Sequence, residues 1–246
     1  FEFKRVRLEG QRPLLPYHRS SQMHPPECLP TWHTAGGPCP YGKPVAFLGS
    51  AHLFTWPTSW TSMDALAAAY SLEPALCFWL VLFALCRYRG VREVFVVLLL
   101  VLTEIVTYVL KHFIRSPRPV GSCLISCGMP SGHSVHSMSL WAYLMLQLLC
   151  TERYARRTSR FVLAGAISVL LLPVPWSRVH LRDHSVAQVL AGSSIGVFIS
   201  LIYFALIRNL SEASVKSLAS RLRLKENFLA LDEETPLKEP NPSATQ

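Results

Sequence analysis

The sequence predicts an all-α, polytopic membrane bundle of about five transmembrane helices. Five apolar stretches, roughly 64–86, 93–113, 134–150, 161–176 and 186–207, reach or approach the length needed to cross a bilayer. Lys and Arg gather in alternate connections between these stretches. Half of the 246 residues are hydrophobic and only 16% are charged, with a mean hydropathy of +0.29. That excess lies in continuous runs, the pattern of spans and not of a larger soluble core.

Residues 1–60 are rich in Pro, Gly, His and Ser and show no sustained period of 3.6 or 2, so they are expected to be irregular or disordered. Residues 1–25 hold no apolar h-region of signal-peptide type, so targeting is expected to fall to the first span. Residues 61–210 form the membrane domain, in which the third and fourth stretches are short and suit a thin bilayer. Residues 211–246 combine a basic amphipathic stretch with a Pro- and Glu-containing tail expected to be disordered. The amphipathic part suits either an anionic membrane surface or a loose basic tail.

The connections set the orientation. Arg87, Arg89 and Arg92 lie between the first two spans, and Arg153, Arg156, Arg157 and Arg160 between the third and fourth. Arg208, Lys216, Arg221, Arg223 and Lys225 follow the fifth. Five crossings put these basic segments on one face, cytoplasmic by the positive-inside rule. The connections 114–133 and 177–185 then share the opposite face. The net charge of +9 is accounted for largely by these flanks. No basic-aromatic interleaving accompanies it, so no nucleic-acid partner is expected. Seven cysteines without a C-x-x-C pair argue against a zinc ribbon or a thioredoxin-type site.

Three polar segments fall on that opposite face: Lys111–Pro119 (KHFIRSPRP), Pro130–His133 (PSGH) and Ser177–His184 (SRVHLRDH). Lys111 and Arg118 are seven positions apart, which a helix would place on one face before Pro117 and Pro119 end it. Lys111, Arg115 and Arg118 would serve equally well as a stop-transfer cluster, but a Lys point charge beside an Arg fork also holds phosphate oxygens. Ser131 and Gly132 open the third span, where helix N–H groups and the dipole favour an anion. An N-cap alone has no need of His133, which is suited to donating a proton to a leaving oxygen. Arg178 would complete a trio of cations, and His184 would attack phosphorus to give a phosphohistidine that water hydrolyses. His180 is expected to be a loop imidazole without a role.

These motifs resemble the type-2 phosphatidic acid phosphatase superfamily, which also contains the vanadium haloperoxidases. Its pattern is K-x6-R-P, then P-S-G-H, then S-R-x5-H-x3-D. The chain matches the first two through Lys111, Arg118 and Pro119 and through Pro130–His133, and the third through Ser177, Arg178 and His184. The resemblance covers about residues 64–207. The Asp that follows the nucleophilic histidine by four is here Gln188, able to accept the imidazole N–H but without charge. The dolichyl diphosphate phosphatase branch resembles the chain more closely through Glu104, Gly128–Ser131, Ser177–Val179 and Gln188–Leu190.

That resemblance implies a metal-free lipid phosphatase without cofactor, in the endoplasmic reticulum membrane with a lumenal site. It would hydrolyse dolichyl diphosphate to dolichyl phosphate and phosphate, recycling the carrier for N-glycosylation. The expected catalytic residues are His184, His133 and Gln188; the expected phosphate ligands are Lys111, Arg118, Ser131, Gly132 and Arg178. A diphosphate expels a phosphate monoester, an easier leaving group than an alkoxide, which suits a nucleophile without a carboxylate. A lipid monophosphatase for phosphatidic acid or a sphingoid phosphate, and an inactive lipid-phosphate-binding member, are the competing readings.

Glu104, an ionisable group inside an apolar run, either supports the site or pairs with a polar neighbour. His18, His24, Cys28, His33 and Cys39 match no zinc-ligand spacing. Cys123 and Cys127 share the opposite-face connection, and the compartment suggests that they pair with each other. Oligomeric state has no sequence signature here.

Overall fold

The computed structural model describes residues 25–47, 51–150, 157–210 and 212–224. Among them, four helical segments are long and apolar enough to cross a membrane: Ser62–Tyr88, Val91–Ile114, Arg160–His180 and Val186–Arg208. The first comprises α2 (Ser62–Ser71) and α3 (Glu73–Tyr88), which meet at Leu72 with a proline in the first turn of α3. Thr61 starts α2 with a capping box shared with Asp64. The second is α4 (Val91–Ile114). The third joins α6 (Arg157–Leu171) to α7 (Pro173–His180), broken where Pro173 cannot continue the backbone ladder. The fourth is α8 (Val186–Arg208).

Helix α5 (Gly132–Cys150), the third of the five expected stretches, differs from the other four in composition. It has 19 residues, about 28 Å at 1.5 Å per residue, but it is not among the segments apolar enough to face lipid. It buries Ser134, His136, Ser137, Ser139 and Gln147 and contacts α3, α4, α6, α7 and α8. A helix sheathed by others faces protein, so its composition follows its partners and not the bilayer.

The tightest crossing is α5 on α8, and small residues allow it. A Cβ at Gly192 would lie 2.7 Å from the Ser131 carbonyl, and one at Gly196 would collide with the Val135 carbonyl. Ser200 Oγ donates to the Ser139 carbonyl at 2.6 Å further along. Glycines four apart let the two backbones approach, the usual device where hydrophobic exclusion cannot drive association. The pairing runs from Ser131 with Gly192 to Ser139 with Ser200, so α5 and α8 are parallel and both start at the same face. Helix α4 runs the other way: Tyr203 Oη donates to the Phe95 carbonyl at one end, and Lys111 lies beside Gly132 at the other.

Residues 25–60 overturn the expectation of an irregular segment; residues 1–24, with His18 and His24, lie outside the described residues. A 3-10 turn at Pro26–Cys28 and a short α1 (Thr31–Thr34) lead to β1 (Gly42–Phe47) and β2 (Ala51–Pro57). The strands pair antiparallel with an irregularity at Val45/Ala46. Phe54 packs against Ala67, Ala68 and Leu181, seating the hairpin on α2 and the α7–α8 connection. Two disulfides, Cys28–Cys127 and Cys39–Cys123, span 99 and 84 residues. Cys123 and Cys127 therefore do not pair with each other. Cross-links that close long loops restrict the unfolded chain strongly, which is how a segment with little periodicity becomes ordered.

The amphipathic stretch forms α9 (Glu212–Leu222). Val215 and Ala219 join the core cluster of Cys77, Val91, Phe95, Leu99 and Tyr143, so α9 docks on the bundle and is neither loose nor free to lie on lipid by that face. Residues 225–246 lie outside the described residues.

Candidate active site

Four helix ends converge on one face: the last turn of α4, the first of α5, the last of α7 and the first of α8. Lys111 occupies the last turn of α4, close enough to the start of α5 that a Cβ on Gly132 would lie 3.9 Å from its Nζ. Arg118 arrives differently from the expected shared helical face. Helix α4 stops at Ile114, and Arg115 caps it in the left-handed region at φ 46°. Pro117 disfavours a helical Ser116. The chain then turns back, and Arg118 is held by its Nε to the Ser126 carbonyl at 2.8 Å and its Nη2 to Ser126 Oγ at 2.9 Å.

His184 is the centre of this face and only 2% exposed. Its Nδ1 lies 2.8 Å from the Gly128 carbonyl and 3.3 Å from Gln188 Oε1. Both partners accept, so Nδ1 carries the proton and Nε2 the lone pair. Arg118 Nη1 sits 2.8 Å from that Nε2 and also donates to the Asp183 carbonyl at 2.9 Å. Burial, and then the charges of Arg118, Arg178, Lys111 and His133, hold the His184 imidazole well below its ordinary range, so it is neutral at pH 7. Burial brings Arg118 down to about 10, with Asp183 opposing and Arg178 reinforcing the shift; it remains charged.

Gln188 has two tasks. As the third residue of α8 it closes a capping box, its Oε1 accepting from the Ser185 N–H at 3.2 Å while Ser185 Oγ accepts from its own N–H at 3.3 Å. Its Nε2 donates to the Pro117 carbonyl at 2.7 Å, which turns Oε1 toward His184. A carboxylate has no donor for Pro117. The amide therefore ties the arginine-bearing connection to the imidazole in a way that aspartate would not.

Arg178 is fully buried. Its Nη1 donates to Ser71 Oγ at 2.9 Å and its Nη2 to Asp183 Oδ2 at 2.9 Å, while Nε has no partner. Asp183, also fully buried, accepts in addition from Thr55 N at 3.0 Å, Thr55 Oγ1 at 2.6 Å and Ser122 Oγ at 3.1 Å. Sequence reasoning missed Asp183, Thr55 and Ser71, and gave Gly128 no role at the site. An acidic residue beside the key histidine in a chain poor in charge was the available signal for Asp183. Ser185-x-x-Gln188 was the signal for the cap, and Thr55 had none.

Ser131 is fully buried at the N-cap position of α5. Its N–H donates to the Gln188 carbonyl at 3.1 Å, and its Oγ accepts from Ser134 Oγ at 3.0 Å, leaving its own hydroxyl proton uncommitted. His133 joins the cluster, but its Nε2 donates to the Ser71 carbonyl at 3.2 Å. A proton from that nitrogen reaches a substrate only after the ring leaves Ser71. Ser177 Oγ donates to the Val174 carbonyl at 2.7 Å, a bond within its own helix. His180 has a partner after all, Asp64 Oδ1 at 3.0 Å, and serves to dock α7 on α2. Glu104 is exposed on α4, two turns before Lys111. The buried His136 has its Nδ1 3.3 Å from Glu73.

Residues 92–212 match the family described as the PAP2 superfamily. The chain is 28% identical to the dolichyldiphosphatase of Saccharomyces cerevisiae over 180 residues, covering 69% of this chain and 74% of that one. It is 33% identical to dolichyldiphosphatase 1 of Dictyostelium discoideum over 124 residues, covering 48% and 54%. Against the human dolichyldiphosphatase 1 it is 32% identical over 116 residues, covering 43% and 48%. The chain thus spans about half the length of the latter two relatives. Its fold matches the PAP2 type phosphatidylglycerolphosphate phosphatase of Bacillus subtilis with a TM-score of 0.54 at 18% identity, over 63% of this chain and 81% of that one.

Proposed function

We propose that this membrane protein is a lipid diphosphate phosphohydrolase that converts dolichyl diphosphate to dolichyl phosphate and inorganic phosphate. The observation that carries the reading is the His184 imidazole: neutral, with its proton placed on Nδ1 by Gly128 and its Nε2 lone pair beside Arg118. That is a nucleophile prepared for phosphorus. Lys111, Arg118, Arg178, Ser131 and the first N–H groups of α5 at Gly132 bind the terminal phosphoryl oxygens. Nε2 attacks phosphorus as the bridging P–O bond breaks. His133, released from Ser71 and entering as the imidazolium, protonates the departing lipid monophosphate; the neutral ring then takes a proton from the water that hydrolyses the phosphohistidine. Gln188 orients the imidazole throughout.

The similarity to dolichyldiphosphatases supports the substrate, and the mild demand of anhydride cleavage on a nucleophile lacking a carboxylate agrees with it. The disulfides Cys28–Cys127 and Cys39–Cys123 lie on the site face, which supports an oxidising compartment there, the lumen of the endoplasmic reticulum. The free Cys86 and Cys150 sit at the opposite helix ends with the basic flanks.

Purified protein in detergent should release phosphate from dolichyl diphosphate faster than from phosphatidic acid, and continue to do so in EDTA. His184→Ala should lower turnover by about a thousandfold or more. Equal or faster hydrolysis of phosphatidic acid would overturn the diphosphate assignment.

A further inference from the structure

Strands β1 and β2 follow the Cys39–Cys123 bridge in the chain, and Thr55 of β2 reaches the buried carboxylate of Asp183. Asp183 receives four hydrogen bonds, two from Thr55, one from Ser122 and one from Arg178. Thr55 Oγ1 in turn accepts from the Cys123 N–H at 2.9 Å, next to the Cys39–Cys123 bridge. Asp183 makes no hydrogen bond to His184 through its side chain, so it is not a relocated partner of the nucleophile. What it grips is the guanidinium of Arg178, whose Nε–H is buried without an acceptor. An arginine held at both terminal nitrogens, by Ser71 and Asp183, cannot turn that Nε toward a partner of its own choosing.

We propose that Asp183, clasped by Thr55 of the β-hairpin, is a positioning residue that presents Arg178 to the phosphate, so that the hairpin is a working part of the anion cradle. This rests on the reading of the site as a phosphate site. A buried carboxylate with every bond satisfied is rigid. Placing an arginine fork in advance removes the cost of ordering it when the anion arrives. The carboxylate also offsets one charge in the cluster of buried Arg178 with half-buried Lys111 and Arg118, which otherwise repel one another. Thr55 matters through both its backbone N–H and its hydroxyl. Serine retains both donors and valine keeps only the first.

The test measures inorganic phosphate binding to the full-length protein in detergent by the phosphate-dependent rise in Tm, alongside KM and kcat for the lipid substrate. Asp183→Asn is expected to weaken phosphate binding and raise KM by about tenfold or more with a smaller change in kcat. Thr55→Val should move the same quantities by about three- to tenfold, and Thr55→Ser should stay within about twofold of wild type. Val215→Ala loosens the docking of α9 at the other end of the bundle, away from Asp183; it should lower Tm while leaving phosphate affinity within about twofold. Should Asp183→Asn fail to fold, the contrast of Thr55→Val with Thr55→Ser decides. Phosphate affinity unchanged in Asp183→Asn or Thr55→Val, or shifted as much by Val215→Ala, overturns the positioning role alone. A wild type that binds no phosphate overturns the phosphate reading as well.

Discussion

The two ends of the bundle both carry clusters of cations and treat them in opposite ways. At the far end Arg87, Arg89 and Arg208 are exposed beside the termini of α3, α4 and α8. At the site end Arg178 is fully buried, and Arg118 is locked by Ser126, the Asp183 carbonyl and His184. Arg115 makes the contrast sharper because it lies three residues from Arg118. It is exposed and its Nε donates only to the His112 carbonyl of its own helix end at 3.0 Å. Exposed charge next to a span anchors and orients the helix. Charge built into a dehydrated polar network is prepared for a ligand, because its desolvation has already been met by fixed partners.

The largest break between the two classes should come from exchanging them. Arg118→Gln is expected to lower kcat/KM for the lipid diphosphate by about a hundredfold or more, since it removes a cation and a contact to the nucleophile. Arg115→Gln should stay within about twofold in the same assay. Comparable losses in the two variants would erase the distinction drawn between binding and anchoring arginines.

Next in size is the cap that closes the site end. Replacing Cys28 and Cys39 together by serine removes both cross-links and should cost about 2–5 kcal/mol of stability, by the usual effect of losing a native disulfide. Tm should fall, and phosphate release should drop about tenfold as Thr55 loses its fixed place beside Asp183. Full activity at a lowered Tm would show that the cap protects the fold without shaping the site.

A similar loss of rate, without the loss of cross-links, is expected at Gln188. Gln188→Leu removes the bonds to Ser185 and Pro117 but leaves Gly128 to hold the His184 tautomer, so kcat should fall by about tenfold. Gln188→Glu keeps the acceptor while losing the donor to Pro117, and should not exceed wild type. A gain in kcat with Glu would mean that a carboxylate, and not the amide bridge, is what the nucleophile lacks.

The finest test is pH. Because the native His184 pKa is depressed, the unfolded chain takes up a proton below pH 6.5 that the native protein does not. Stability is therefore full above that pH and is lost as pH falls toward the native value, by at most about 1.4 kcal/mol per unit. The drop in Tm between pH 7 and 5.5 should be greater for wild type than for His184→Asn, which lacks the titrating ring. Equal drops would mean that His184 is not held neutral by its surroundings.

Much of the site was legible because it lies at helix ends. Lys111, Ser131, His133 and His184 are short-range features: a cation, a cap and two imidazoles at the boundaries of apolar runs, brought to one face by the number of crossings. Helix α5 was less legible: its short apolar stretch suggests a thin bilayer, whereas its buried serines, His136 and Gln147 face neighbouring helices that take the place of lipid, which a window of hydropathy does not record. The N-terminal segment was misread for a related reason. Its order comes from Cys28 and Cys39, joined to partners 99 and 84 residues away, and from Thr55, whose acceptor lies 128 residues on. Nothing local in Pro- and Gly-rich sequence records such partners.

Taken alone, the chain determined where it crosses the membrane, which ends face together and which residue types meet there, since apolar run length and charge asymmetry act through the bilayer without reference to contacts. Only the tertiary structure decided which arginines enter a polar network and which stay exposed, which nitrogen of His184 carries the lone pair, and that Thr55 reaches Asp183. Those outcomes depend on burial and on single hydrogen bonds between residues far apart in sequence, whose strength exists only once water has been excluded from the assembled site.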